Sequence, residues 1–353
     1  MPRRARPARV PDPLSSGLVD PRSSLTPGPS RDARGGRRLL AAILAATLVA
    51  TTAACSDGGT GGDMAAGGPG AAQESRALEP AVRVDPGPAP TVEVLEKGSG
   101  ELRVLAYAPS LEPAVVAVTR SGSSRTTVPG AEPRTDETPE QTLTVEGRSE
   151  PDVDGAQRAT VTAREFTSVD ELRAAQFATA PGFTVTWTRS ADGIVRGLSL
   201  EAPAEATDAA RAGVEITANA VSDATVAWPT EPIGVGARWT VTRAVDDAVA
   251  PTRVVTYRLT ALDGDVATVS LEMTAPEPAA TLDAPAADGG PGVTLAVDAY
   301  EVTGSGELTV DLRAALPVEG TTESSTRAVY VDPATGRRTT YVEDSVLEFR
   351  SAG

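Results

Sequence analysis

The chain of 353 residues contains 48 acidic and 32 basic residues, no histidine and a single cysteine. Its net charge of −16 disfavours nucleic acid as a partner, and the absence of histidine excludes a Ser-His-Asp triad and a histidine-ligated zinc site. A lone cysteine cannot form an internal disulfide, so the fold must depend on its hydrophobic core.

The first 54 residues have the organisation of an export signal. Residues 1–38 are rich in proline, arginine and serine without hydrophobic periodicity, which predicts a disordered extension ending in a positive n-region. An apolar run at residues 39–54 leads through small residues to the only cysteine, Cys55. The run is shorter than the roughly 20 apolar residues that a transmembrane helix needs, so a cleaved signal peptide is predicted.

Residues 52–55, Thr-Ala-Ala-Cys, resemble a bacterial lipobox, in which the cysteine is acylated and becomes the first residue of the mature protein. The resemblance implies a lipoprotein that Cys55 anchors to the extracytoplasmic face of the cell membrane. Ordinary secretion and an uncleaved membrane span are the alternatives, and the export route, general or twin-arginine, stays open. The abundance of arginine, alanine, glycine and proline beside one lysine resembles actinobacterial proteins. After residue 54 the net charge is −22, so contact with the membrane is expected through the lipid alone.

A tether and a single β-rich domain are predicted after the cysteine. Residues 55–95 are rich in glycine, alanine, serine and then proline, which predicts a disordered tether. The domain is placed at residues 96–353. Alternating apolar and polar residues predict its strands, and Asp-Gly pairs such as those at 192–193 and 263–264 predict hairpin turns. The predicted strands are 102–107, 114–119, 141–148, 158–164, 183–188, 193–200, 237–244, 252–262, 265–274, 295–302, 307–314, 324–331 and 337–349.

Other stretches are assigned to loops or helices. Residues 121–138 and 276–292 are predicted to be surface loops, because proline, glycine, serine and threonine dominate them. Small apolar residues recur three or four apart in the segment 203–221, which predicts an amphipathic helix that lies close against a sheet. A second helical turn is predicted at 168–176, capped by Ser168.

These elements predict a mainly β, α+β fold. The first choice is a curved antiparallel sheet or open half-barrel with one principal amphipathic helix on its concave face, and the alternative is a two-sheet β-sandwich. The segments 96–202 and 225–353, on either side of the helix, are possible halves of a duplicated unit. The half-barrel architecture resembles that of bacterial lipoproteins that carry lipids.

The most distinctive stretch of the predicted domain is residues 228–239, which hold two tryptophans, two prolines and two glycines. It is similar to a signature of bacterial lipoproteins from domain-of-unknown-function families, and this resemblance implies no activity. Trp228 and Trp239 have two interpretations: they fill the core beneath the helix, or they line a site for an apolar ligand.

No constellation of catalytic residues is found, and a non-enzymatic protein without cofactor or metal is predicted. Cys55 is assigned to lipid, and the only lysine, Lys97, lies at the end of the predicted tether. Two functions are consistent with a lipid-anchored β domain. It binds an apolar or amphiphilic ligand such as a lipid, or it serves as an interaction or scaffold module of the cell envelope.

Overall fold

The structure, a computed structural model, describes residues 78–245, 247–284 and 292–352. These residues form two α-helices, α1 (Glu171–Phe177) and α2 (Asp208–Ala224), and a short 3-10 turn at Val153–Gly155. They also form sixteen strands: β1 (Val82–Val84), β2 (Thr91–Glu96), β3 (Ser99–Arg103), β4 (Ser110–Thr127), β5 (Arg134–Pro151), β6 (Gln157–Ser168), β7 (Thr184–Arg189), β8 (Val195–Glu201), β9 (Ile233–Val235), β10 (Arg238–Ala244), β11 (Thr252–Asp263), β12 (Val266–Thr274), β13 (Thr281–Ala284), β14 (Val293–Asp311), β15 (Glu319–Val331) and β16 (Arg338–Ser351).

Most strands belong to one large antiparallel sheet. Their order is β1-β8-β7-β6-β5-β4-β16-β15-β14-β12-β11-β10-β2, and β13 pairs with β14. Strands β3 and β9 form a separate two-stranded ladder. The predicted mainly β fold with an open antiparallel sheet is confirmed. The alternative sandwich does not apply, because the hydrogen-bonded ladder runs without a break from β1 to β2.

The sheet is strongly curved, because its two edge strands are neighbours in the chain. Strands β1 and β2 lie at opposite edges, yet only residues 85–90 separate them. Thirteen strands side by side in a flat sheet would be about 58 Å wide, at roughly 4.8 Å per strand. The linker spans at most about 25 Å when fully extended. The edges therefore face each other across a gap that we call the seam, and residues 78–96, which cross it, are called the strap.

The concave face of the sheet and helix α2 enclose the main hydrophobic core. The strands that precede α2 and those that follow it contribute to one buried cluster together with the helix, which places α2 on the concave side. Buried residues of this cluster include Val118, Leu143, Val161, Val185, Trp239, Tyr257, Val269, Leu308, Phe349, Ala210, Val214, Ala218 and Val221. The two chain segments on either side of the helix form adjacent parts of the sheet, joined where β4 pairs with β16.

The principal helix is present, but its bounds differ from the prediction. Helix α2 begins after Thr207, whose hydroxyl accepts a hydrogen bond from the Ala210 backbone N–H at 3.2 Å, and continues to Ala224. Residues 203–206 precede this cap. The N-cap of helix α1 is Asp170, not Ser168, because the Asp170 carboxylate accepts the Arg173 N–H at 3.1 Å. Ser168 instead ends β6, where its hydroxyl donates to the Glu140 carbonyl.

Several predicted loops are strands. Segment 121–138 is mostly hairpin, because β4 continues to Thr127 and β5 starts at Arg134. The predicted strands 295–302 and 307–314 are one strand, β14, which pairs with β12 and β15 through the intervening glycines. The end of β4 and the middle of β14 are paired on both sides, which satisfies their backbones without the apolar alternation that the prediction required. The start of β5, before Gln141, pairs with β4 alone. Conversely, β3 ends at Arg103, so the predicted strand 102–107 is wrong over most of its length. Segment 276–292 contains β13, and residues 285–291 lie outside the described part of the chain.

The folded domain begins earlier than predicted. Strand β1 and all of β2 except Glu96 lie within residues 55–95, the range assigned to the tether. Leu78 already forms a bridge with Pro203, and Arg211 of α2 binds the Glu79 carboxylate through two nitrogens at 2.7 and 2.9 Å. The proline-rich part of the predicted tether is therefore the linker that crosses the seam.

A second, smaller hydrophobic cluster lies on strands β14, β15 and β16. Tyr300 on β14 and Tyr341 on β16 both lie opposite Ala328 on β15, and Tyr330 follows two residues later on the same face. Val249, from the connection between β10 and β11, packs against this group. The hydroxyl group of Tyr300 donates to the Asp247 carboxylate of the same connection.

Candidate functional site

Trp228 and Trp239 lie at the centre of a buried aromatic stack. Their ring centres are 5.6 Å apart, and the stack extends from Trp239 to Tyr257 at 5.4 Å and from Trp228 to Tyr107 at 6.4 Å. Both tryptophans are completely buried. The indole N–H of Trp239 donates to the Ala227 carbonyl at 2.9 Å, so a buried polar group is satisfied.

Arg189 closes the Tyr107 end of the stack. Its guanidinium lies over the Tyr107 ring, and it donates to the carbonyls of Ala314 and Ala315 at 2.9 and 3.2 Å. Burial lowers the pKa of Arg189, and the neighbouring Tyr107 raises it again in part. Burial raises the pKa of Tyr107 to about 12, while the Arg189 charge opposes the increase. Tyr107 is therefore a neutral phenol at physiological pH, without the ionisation that a catalytic base would need.

The tip of the β7–β8 hairpin is fixed close to the stack. Gly193 has a φ of 86°, and a Cβ atom there would lie 2.3 Å from the Val226 carbonyl oxygen and 2.7 Å from the Tyr107 ring. Only glycine combines this backbone conformation with this approach. The backbone N–H of Trp228 also donates to the Asp192 carbonyl at 2.7 Å. The predicted Asp-Gly turn is confirmed, and it holds the tip against Trp228.

A cleft of about 170 Å³ opens at the seam, directly beside Trp228. The strap forms one wall, the β7–β8 tip forms the opposite wall, and the connector after Trp228 forms the floor. The cleft is lined by Pro90, Val92, Val94, Asp192, Ile194, Trp228, Pro229, Thr230 and Glu231. Its lining combines the aliphatic side chains of Val92, Val94 and Ile194 with two carboxylates and a threonine. This combination suits a molecule with an apolar part and a polar end.

The carboxylates of the cleft already have partners. Asp192 Oδ1 accepts hydrogen bonds from the Ser190 hydroxyl and from the Ile194 backbone N–H. Glu231 forms an ion pair with Lys97 at 2.7 Å, in which both side chains are about half exposed. Such an exposed pair contributes little stability, but it links the end of the strap to the connector. Neither carboxylate is placed as an isolated acid or base.

The connector between Trp228 and Trp239 packs closely against β3. Within it, β9 pairs with β3, and a Cβ atom on Gly234 would lie 2.5 Å from the Ser99 carbonyl oxygen. The Gly234 backbone N–H donates to the Lys97 carbonyl at 2.9 Å. The connector thus fastens the C-terminal end of the strap, immediately after β2.

A second cavity lies between α2 and the concave face but holds only about 20 Å³. That volume is about what one water molecule requires. Its lining is apolar apart from Thr217, and it includes Trp187, Val214 and Leu316. The space beneath the helix, which the sequence suggested as a ligand site, is therefore almost filled in this structure.

The two predicted tryptophans thus have different positions relative to open space. Trp228 borders the cleft although it is completely buried, whereas Trp239 does not border it and lies opposite Val94 of β2 in the ladder. Cys55, the predicted lipidation site, lies outside the described residues. Within the described ranges, neither helix is long and apolar enough to cross a membrane, and no group of three or more acidic, cysteine or histidine side chains is suited to hold a metal ion.

Sequence reasoning missed most of the residues around Trp228. The Asp-Gly turn was predicted, but nothing in the sequence indicated that its tip contacts Trp228. Val92 and Val94 alternate with polar neighbours, which is a strand signal, although the proline-rich segment before them favoured a tether. Arg189 ends a strand of alternating residues at a position that is buried, and such burial of a charged residue gives no sequence signal.

The sequence matches no protein-family model, and comparison with curated proteins gives no significant match.

Proposed function

We propose that this chain is an extracytoplasmic lipoprotein, anchored to the cell membrane through Cys55, whose domain binds an apolar or amphiphilic molecule in the seam cleft. The anchor is supported by the sequence: a basic segment, the apolar run at 39–54 and the lipobox-like residues 52–55. The chain has no histidine and its only cysteine is assigned to lipid, which favours binding over catalysis.

The observation that carries the ligand proposal is the composition and position of the cleft. Val92, Val94 and Ile194 make its apolar side, and the completely buried Trp228 lies directly beneath its lining. Asp192 and Glu231 provide polar groups in the same lining. The cleft lies at the seam, where the sheet is open and a ligand can enter without crossing a hydrogen-bonded ladder.

Native mass spectrometry of the full chain carrying Cys55→Ser tests this proposal. We expect an adduct of lipid mass that survives purification, and we expect Thr230→Phe to reduce it because Thr230 is exposed in the cleft lining. Thr303→Phe, at an exposed position of β14, is the matched control and should keep the adduct. A chain without any adduct that also takes up no added lysophosphatidylcholine would contradict the proposal.

An envelope interaction module is the second candidate. It is favoured by the nearly filled space beneath α2 and by exposed apolar side chains on and beside the β3–β9 ladder. Leu102, Val104 and Val235 are each about half exposed there, at 45%, 52% and 43%. This candidate predicts that the chain carries no small molecule and that both Thr230→Phe and Thr303→Phe retain the protein partner. The same mass spectra therefore distinguish the two functions.

A further inference from the structure

The seam cleft is too small for a whole amphiphile. Its volume of about 170 Å³ is below the roughly 300–1,000 Å³ that pockets for drug-sized ligands occupy. The cavity beneath α2 is smaller still. An acyl chain bound at the cleft therefore needs additional apolar surface, and one wall of the cleft must provide it by moving.

Two of the three walls are firmly held. The β7–β8 tip is fixed by the close approach of Gly193 to Tyr107 and Val226. The connector is stiffened by Pro229 and Pro232 and by the hydrogen bond from Trp228 to the tip. Movement of either would disturb the buried aromatic stack.

The third wall, β2, is held much less firmly. It pairs only with β10, and its other edge faces the seam. Thr91, Glu93 and Leu95 are exposed, and Val92 and Val94 are only half-buried. The ion pairs at its C-terminal end, Glu96 with Arg238 and Lys97 with Glu231, are largely exposed. Edge segments with few buried contacts are the parts of a fold that open at the lowest free energy.

Beside β2, on the adjacent strand β10, lies the apolar surface that the cleft lacks. In the ladder, Val94 is opposite Trp239 and Val92 is opposite Val241, and both residues of β10 are completely buried. We infer that β2 is a movable wall and that an acyl chain takes the place of the Val92 and Val94 side chains against Trp239 and Val241. This inference rests on the proposed function and specifies its ligand as a molecule with an extended hydrocarbon chain.

The strap is anchored on both sides of the moving part. Glu79 is bound by Arg211 on one side of the seam, and on the other side the Gly234 backbone N–H donates to the carbonyl of Lys97, which follows β2. The intervening linker, residues 85–90, holds three prolines. Within it, the Gly87 backbone N–H donates a hydrogen bond to the Asp85 carboxylate. Strand β2 can therefore separate from β10 while both ends of the strap stay attached.

A reversible cross-link between β2 and β10 tests this inference. Glu93 and Thr240 are directly opposite in the ladder, and their side chains point away from the concave face that Val92 and Val94 share. Opposed residues in antiparallel strands have the Cα separation that a disulfide needs. The test uses the full chain with Cys55→Ser, Glu93→Cys and Thr240→Cys. The control carries Cys55→Ser, Glu301→Cys and Arg327→Cys, an exposed opposed pair on β14 and β15.

Binding of lysophosphatidylcholine below its critical micelle concentration is measured with each disulfide oxidised and reduced. We expect oxidation to weaken binding about tenfold or more in the Glu93–Thr240 variant and to leave the control unchanged. Equal binding by the oxidised and reduced Glu93–Thr240 variant would overturn the movable wall and leave the proposed function intact. Absence of binding by every form, including the reduced ones and the parent chain, would overturn both.

Discussion

The guanidinium carbon of Arg189 lies 3.8 Å from the centre of the Tyr107 ring, and both side chains are buried. Through this contact the end of β7 is joined to the segment that carries Tyr107. The same arginine binds the carbonyls of residues 314 and 315, which follow β14. One side chain therefore connects segments from both sides of α2 at the base of the aromatic stack.

Replacing Arg189 with methionine should destabilise the domain. The substitution keeps apolar volume but leaves the carbonyls of Ala314 and Ala315 without their donor, and a buried unsatisfied group costs about 1–3 kcal/mol. Urea unfolding of the variant and the parent chain measures the difference in free energy of unfolding. Arg196→Met, at an exposed position of β8, is the matched control. Equal losses in the two variants would show that the buried contacts of Arg189 are not stabilising.

The domain should lose stability at alkaline pH in part through Tyr107. Its pKa is raised from 10.0 to about 12 by burial, so the unfolded chain loses the phenolic proton first. The stabilisation that this difference in the Tyr107 pKa provides is complete below pH 10 and is lost as the pH rises towards 12. We expect the parent chain to lose about 2 kcal/mol more than Tyr107→Phe over this interval, since one pKa unit corresponds to about 1.4 kcal/mol. Parallel stability curves for the two chains would contradict this assignment.

Helix α2 should tolerate bulk on one face only. Ala210 is completely buried, so Ala210→Leu should overpack the contact with the sheet and cost about 1–3 kcal/mol. Nearby, a Cβ atom on Gly213 would lie 2.6 Å from the Phe166 ring, which shows how closely the helix is packed. Ala212→Leu introduces the same side chain on the exposed face and should be nearly neutral. The orientation of the helix is wrong if thermal unfolding ranks these variants in the opposite order.

The sequence was sufficient to predict those features of the fold that a local residue pattern determines. The fold class, the principal helix and the Asp-Gly turns at 192–193 and 263–264 follow from periodicity and turn chemistry, and the structure contains them. The serine- and threonine-rich end of β4 was missed, because a strand paired on both sides needs no apolar alternation. The start of β5 was missed with it, because its partner is that end of β4. Strands β1 and β2 were missed because short edge strands obtain their order from partners far along the chain, residues 198–200 and 238–242.

The candidate site was only partly predictable for the same reason. Trp228 and Trp239 were identified from the unusual composition of their segment. The cleft beside Trp228, however, requires the seam, and the seam arises from the curvature of the whole sheet. No local pattern in the linker 85–90 reveals that it joins two opposite edges. Identification of Val92, Val94 and Ile194 as lining residues therefore depended on the tertiary structure.

Cys55→Ser should release the protein from the membrane. Two acyl chains attach a protein stably, since each buried methylene contributes about 0.8 kcal/mol, whereas one chain is marginal. We expect the parent chain in the membrane fraction and the variant in the soluble or secreted fraction of the native host. Immunoblots of the fractions, with Ser56→Ala as the neighbouring control, measure the distribution. A variant that stays entirely in the membrane fraction would rule out the lipid anchor.

Tryptophan emission of the full Cys55→Ser chain, titrated with lysophosphatidylcholine below its critical micelle concentration, tests most directly for an amphiphile site beside Trp228. The chain has three tryptophans, two of them in the stack, and Trp187→Phe removes the third. We expect a saturable change in emission that Thr230→Phe weakens about tenfold and Thr303→Phe leaves unchanged. An emission spectrum that does not change with any amount of monomeric amphiphile would contradict the account.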